Sequence, residues 1–502
     1  MAVTDGRGRS RRGGRAGSVL RTKPIEDVLA QTAGEGDEQS RGRLRKSLGP
    51  WDLMGFGIGI VIGTGIFTLT GVQARENAGP AITISFALAG VVSMLAALCY
   101  AELSSSVPTA GSAYTYSYAT MGEIFAWIVG WDLVLEFALG AATVARGWSD
   151  YLARLLDLPT GLFTEEAPVN VGAVAITLVL GAVAYLGIRE SARVTNTLVV
   201  VKVAICVFVV IAGAFYVTKA NLTPFVPPSQ PPSDDESGLA RPLVQTLFGL
   251  EPSVYGIGGV LAAMAVVFFA FTGFEAVANL GEETRRPQRD LPLGLFGTLG
   301  VCALLYVAVS FVITGMVDYR EIDTGAPIAS AFDAVGLGWA SDLVSVAAVA
   351  GLTTVILVDI TAMGRITFAM SRDGLLPRAV AAVHPRFGTP YRITVVVTVA
   401  VALLAGLVPL ETLADLVSIG TLFAFVLVSI AVPVLRVTRR DLERPFRVPL
   451  SPVLPVLSAF ACLYLMANLS VETWLRFLAW LALGLVVYLA YGRRQARLAR
   501  GV

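Results

Sequence analysis

Twelve apolar runs, each close to or above the roughly 20 residues that cross a bilayer's hydrocarbon core as a helix, constrain this chain more than any other feature. They fall near residues 52–73, 80–101, 123–149, 170–187, 194–217, 255–280, 293–316, 341–370, 394–409, 413–436, 453–469 and 474–491. Backbone in lipid must satisfy its own polar groups, so runs of this length fold as helices. Composition agrees, with 55% hydrophobic and 15% charged residues, against about a quarter charged in soluble domains. The expected class is an all-α integral membrane protein with twelve transmembrane helices.

The basic residues sort into alternate loops. Arg189 and Arg193 form one group, Arg285, Arg286 and Arg289 a second, and Arg372, Arg378, Arg386 and Arg392 a third. Arg436, Arg439, Arg440, Arg444 and Arg447 follow, and both chain ends are also basic, the last with Arg493, Arg494, Arg497 and Arg500. The positive-inside rule then places both termini in the cytoplasm of a multi-pass cell-membrane protein. Residues 1–48 lack the apolar core of a signal peptide and read as a disordered basic tail, either solvated or held on anionic lipid. The acidic, Pro-rich stretch PPSQPPSDDESG at 227–238 reads as an external connection. Cys99, Cys206, Cys302 and Cys462 lie singly in separate apolar runs, as small buried hydrophobes rather than metal ligands. His384, the only histidine, falls in a loop, which excludes an intramembrane histidine relay.

Two of the helices carry the means of their own interruption. GIGIVIGTGIFTLTG at 57–71 holds Gly57, Gly59, Gly63, Gly65 and Gly71, and an interior glycine costs a helix roughly 1 kcal/mol relative to alanine. The sixth run, VVFFAFTGFEAVANLGEET at 266–284, places Thr272 and Gly273 in mid-membrane. Non-helical backbone at that depth is tolerated where it lines a cavity. Two interrupted helices of opposite direction, five elements apart, match an inverted-topology repeat with its binding site between them. A ligand carboxylate would sit on the N–H groups freed at Gly63, Thr64 and Gly65, and an ammonium would face freed carbonyls. The alternative for each glycine-rich helix is close helix packing, and Phe268, Phe269 and Phe271 alternatively face lipid or core.

Longer motifs carry a family resemblance. GTGIFTLTG, AGPAITISF, YAELSSSVPTAGSAYTYSY, FFAFTGFEAV with GEETRRPQRDLPLG, AMSRDGLLP, and LADLVSIGTLFAF with RPFRVP occur in order across about residues 50–450. They resemble the cationic amino acid transporter family of the amino acid, polyamine and organocation superfamily. The resemblance implies a five-plus-five inverted repeat, like that of the sodium symporters, followed by two additional C-terminal helices. The corresponding division is 49–217 and 255–437 for the two repeats, joined by the external loop 218–254. Residues 438–492 hold helices 11 and 12, and 493–502 form a cytoplasmic tail. The resemblance further implies that Gly63, Thr64 and Gly65 hold an amino acid's α-carboxylate, and that carbonyls near Val61, Phe269 and Thr272 hold its α-amine. Ala270 counts among the substrate-binding positions, and Phe269 gates the site.

The intramembrane charges are the remaining candidates. Lys202 lies within VVVKVAICVFVV, where a charge costs on the order of 3 kcal/mol or more. By resemblance it occupies the place of a coupling sodium ion and implies proton coupling; the alternatives are a snorkelling or permanently paired lysine. Asp359, in VILVDITAMG, departs from the apolar residue usual in the family. It binds a cationic substrate group, pairs with Lys202, or pairs with Arg146, although Arg146 is expected to have Asp150, one turn on, as its nearer partner. Asp132 and Glu136, four apart in GWDLVLEF, repel each other unless one is protonated or both meet basic loop residues. By resemblance Glu275 serves inner gating or proton movement; the alternative is structural hydrogen bonding to a neighbouring helix. Arg365 can snorkel and receives no transport role.

These readings favour a secondary amino acid transporter, a permease working by alternating access, with proton symport expected and a tilt toward cationic amino acids or polyamines. The alternatives are an amino acid or polyamine exchanger, or a sodium symporter. Its expected partners are the amino acid, protons and membrane lipid, with no nucleic acid. No cofactor, metal or catalytic residue is expected: the chain has no HExxH pattern and no nucleotide-binding loop. An intramembrane enzyme would need a facing nucleophile and base or metal ligands, and a channel would need rings of filter residues.

Overall fold

The computed structural model describes residues 21–22, 46–108, 112–187, 192–231, 238–249, 254–377, 379, 382–384, 387 and 389–496. Most of the expected tail at 1–48, the acidic centre of the 227–238 loop and residues 497–502 lie outside them. The described residues contain helices and isolated bridges but no strand.

The helices used below are α1 (Pro50–Val61), α2 (Ile82–Ser106), α3 (Ser112–Thr120), α4 (Glu123–Leu156), α5 (Val171–Leu186), α6 (Ala192–Ala214) and α7 (Gly256–Val267). They continue as α8 (Pro287–Met316), α9 (Pro327–Ala334), α10 (Gly338–Arg372), α11 (Tyr391–Leu407), α12 (Leu410–Thr438), α13 (Val453–Ala467) and α14 (Val471–Val487). Among the described residues, eight helical stretches are long and apolar enough to cross a membrane, and α1, α5, α11 and α13 are shorter apolar helices. The protein is therefore a multi-pass membrane protein. The short helices α3 and α9 sit in connections that show no apolar run.

Local chemistry sets several ends. Pro50 opens α1, and the Asp52 carboxylate accepts the Gly49 N–H at 2.9 Å, closing the first turn. Asn170 caps α5 by accepting the Ala173 N–H at 2.9 Å. α1 stops at Val61 because Ile62 turns extended, with ψ at 91°. The chain resumes as a π-turn at Gly65–Leu69. α7 gives way to a 3-10 turn at Phe268–Phe271, an extended Thr272 and Gly273 at φ +96°, followed by a 3-10 segment at Phe274–Leu280. Gly273 is required there, since a side chain rarely adopts that φ and a Cβ would meet Ile60 at 2.5 Å.

Packing divides the helices into two groups. α1 packs on α8 and α2 on both α7 and α8, whereas α4 and α5 pack on α10 and α11. Aromatic edges fill the first group: Phe86 and Phe271 both meet Tyr306, and Phe425 of α12 meets Tyr100, Phe268 and Phe274. Phe268 and Phe271 are thus core residues, fully buried. On the periphery, Val396, Leu403 and Leu407 of α11 point outward, the apolar surface a lipid-facing helix presents.

Candidate substrate cavity

The two interruptions meet at one place. A Cβ on Gly65 would lie 2.4 Å from the Cα and Cβ of Ala270, so only glycine lets the two opened segments touch. Beside this contact is a cavity of about 450 Å³, its open mouth included. Its lining takes in Val61, Gly63, Thr64, Gly65, Phe269, Ala270, Thr272, Glu275 and Asp359. Of the residues singled out for substrate contact, gating or coupling, only Lys202 lies outside it.

Each wall has its own chemistry. Gly63 lies in no helix, and Thr64 and Gly65 open the next helical segment, where the first N–H groups have no intrahelical acceptor. The nearest atom to a Cβ built on Gly63 is 3.8 Å away, so a methyl group would fit there at ordinary contact distance. The Thr64 hydroxyl is buried without a hydrogen-bond partner. Of the carbonyls expected to hold an amine, that of Val61 accepts the Tyr306 hydroxyl at 2.6 Å. That of Phe269 accepts the Thr272 N–H at 3.1 Å and hydroxyl at 2.8 Å. A carbonyl has two lone pairs, but Phe269's two are engaged at the break itself, leaving Val61 with one.

Glu275 serves the break directly: both carboxylate oxygens accept the Gly273 N–H at 3.1 Å. This hydrogen bond lies within the broken helix itself. Its neighbour across the cavity is Glu136, which faces both Glu275 and Thr421. Glu136, Gly140 and Val144 line the cavity at helical spacing along α4, as Val355 and Asp359 do along α10. That spacing was available in the sequence and marks Glu136 as a cavity residue. Asp132, one turn before Glu136, is fully buried with both oxygens unpartnered. Neither carboxylate meets a basic loop residue, because both lie inside the helical array.

One charge pairing resolves differently from the sequence expectation. Arg146 pairs with Glu165, Nη1 to Oε2 at 2.5 Å, not with Asp150. Its Nε and Nη2 donate to the carbonyls of Ala405 and Gly406 at 2.9 and 3.3 Å. The guanidinium fork is drawn to the carbonyl end of α11 and a loop carboxylate, whereas Asp150 is buried with neither oxygen hydrogen-bonded. Asp359 faces the cavity and lies within electrostatic reach of Lys202. Its Oδ2 lies 3.2 Å from where a Cβ on Gly140 would stand, so the missing side chain there makes room for the carboxylate. Lys202 is wholly buried behind α1, its stem against Gly351 and its Nζ donating to the Gly59 carbonyl at 2.6 Å. Snorkelling is thereby excluded.

Two helices broken at one buried cavity, within a helical membrane array, define a solute transporter of the broken-helix class. The chain belongs to the amino acid permease family, whose model matches residues 48–489. It is 42% identical over 491 residues to the methylthioribose transporter of Bacillus subtilis (strain 168), covering 96% of this chain and 99% of that protein. It is equally 42% identical, over 495 residues, to the branched-chain amino acid permease BcaP of the same organism, covering 96% of this chain and 99% of that protein. Cationic amino acid transporter 3, mitochondrial, of Arabidopsis thaliana is 38% identical over 403 residues, 78% of this chain and 63% of the relative. The family is one of permeases, and this chain is a membrane transporter, not an enzyme.

Proposed function

We propose that the protein is a secondary active amino acid permease of the cell membrane, working by alternating access with both termini cytoplasmic. Its twelve crossings comprise two inverted repeats, 49–217 and 255–437, and two further helices in 438–492. The pairing of α1 and α2 with α7 and α8, and of α4 and α5 with α10 and α11, supports this arrangement. The observation that carries the reading is the meeting of both breaks at one cavity through Gly65 and Ala270.

In this reading the N–H groups of Gly63, Thr64 and Gly65 take the α-carboxylate, aided by the orphaned Thr64 hydroxyl. The Val61 carbonyl, with a lone pair left, and the Thr272 carbonyl take the α-amine, the Phe269 carbonyl being engaged at the break; the Phe269 ring gates the cavity, and Glu275 keeps the inner half-helix in register with it. Lys202 carries the coupling proton; its contact with Gly59, just before the first break, lets its charge state bear on α1. Asp359, buried on the cavity wall, favours a substrate with a cationic group. A second reading, a neutral branched substrate, is favoured by Phe137, Val144, Val355 and Val417 in the same lining. Uptake into proteoliposomes driven separately by a pH gradient, a sodium gradient or internal substrate tests the reading. Uptake driven by pH is expected; uptake driven only by sodium or by exchange overturns the coupling.

A further inference from the structure

At one end of the array, the first N–H of α4 is capped from far away in sequence. Glu123 opens α4, so its N–H has no acceptor within the helix. The Arg21 carbonyl accepts it at 2.8 Å. The Glu123 carboxylate receives the Tyr488 hydroxyl at 2.9 Å and the Tyr118 hydroxyl at 3.4 Å, joining α4 to α3 and to the turn after α14. The Arg21 side chain lies within electrostatic reach of Glu123 and Tyr488, and its Nη1 is buried without a hydrogen-bond partner among the described residues. Trp127 fixes the same corner by donating to the Gly484 carbonyl at 2.9 Å.

This corner reaches the cavity through α3. Tyr114 of α3 donates to Asp373, just past α10, at 2.8 Å. The helix also packs against Phe274–Leu280, the part of the broken helix that must move if the cavity is to open on this side. We propose that the chain's own N-terminal segment at Arg21 docks in the notch formed by α3, α4 and Tyr488, and thereby restrains the Phe274–Leu280 segment and slows that opening. The restraint rests on the transport reading above; the docking does not.

Trypsin cleaves at the Arg21 carbonyl, the very group that the Glu123 N–H holds. On the full-length protein in detergent, cleavage after Arg21 should be about tenfold slower than in a synthetic peptide of the same local sequence, because cleavage follows the open population. Equal rates overturn the docking, whatever solute the protein carries. Glu123→Pro deletes the N–H at a first-turn position that accepts proline, and Glu123→Ala keeps the N–H while losing the side chain. The proline variant should bring cleavage after Arg21 toward the peptide's rate and raise maximal uptake about two- to fivefold above the alanine variant at unchanged KM, as expected where opening limits turnover. Restored cleavage without faster uptake overturns the restraint. Deleting residues 2–22, which leaves α4 intact, should give the same rise without the proline. A further rise when Glu123→Pro is added to that deletion also overturns it, because both changes must act through one contact.

Discussion

Gly65 and Ala270 hold the two broken helices in contact, with 2.4 Å between the Ala270 Cβ and the place a Gly65 side chain would begin. Gly65→Ala must therefore push the breaks apart, at a packing cost of about 1–3 kcal/mol. Gly63→Ala meets no atom closer than 3.8 Å and should leave the fold intact. Thermal unfolding and equilibrium substrate binding check both. A Gly65→Ala protein with undiminished affinity and Tm would refute the idea that the contact builds the site.

Lys202 touches the Gly59 carbonyl and not the cavity, so its loss should separate coupling from recognition. Lys202→Met should reduce uptake driven by a pH gradient by about tenfold or more while equilibrium binding changes less, as expected for an intramembrane proton carrier. Proteoliposome uptake alongside calorimetry measures the two. Persistent pH-driven uptake in the variant would end the coupling assignment.

Asp359 presents the cavity with a buried carboxylate. For a cationic substrate, Asp359→Asn should cost roughly 1.5–3 kcal/mol, the worth of a hydrogen bond to a charged group, or about ten- to a hundredfold in affinity. Neutral substrates should be little affected. Thermal-shift titration with lysine, arginine, leucine and a polyamine discriminates the cases, and an equal loss across all of them contradicts side-chain recognition.

Glu102, at the end of α2, accepts Arg436 Nε at 2.8 Å and the Val448 N–H at 2.7 Å, and Arg444 Nε lies 3.8 Å away. It is about 1% exposed, and Glu102→Ala strands these donors. The expected loss is on the order of 3 kcal/mol, read as a fall in Tm of several degrees. Glu102→Gln, which keeps one acceptor, should lose less. A Tm unchanged by alanine would show that the cluster does not hold α2 to α12.

The positions of both breaks were legible because the rule behind them is local. Glycines and a Thr-Gly step in mid-membrane leave backbone that lipid cannot satisfy, and the helices part at Ile62–Thr64 and at Thr272–Gly273. The Arg146 partner was not legible in the same way. Spacing along α4 names Asp150 as a neighbour, but Glu165 and the end of α11 offer the guanidinium better acceptors. Glu136 falls between these cases, since its spacing with Gly140 and Val144 names a face but not what the face meets.

The sequence by itself determined that the chain is a helical membrane protein, where its helices break and which residues it risks placing in lipid. Each follows from one energetic fact, that hydrocarbon penalises an unsatisfied backbone group or a bare charge wherever it stands. Only the tertiary structure decided that the two breaks share a cavity, that Asp359 faces it and that Lys202 stands behind it. Those relations depend on which helices pack together, and close packing of distant segments at single glycines is a property of pairs that no single run of residues carries.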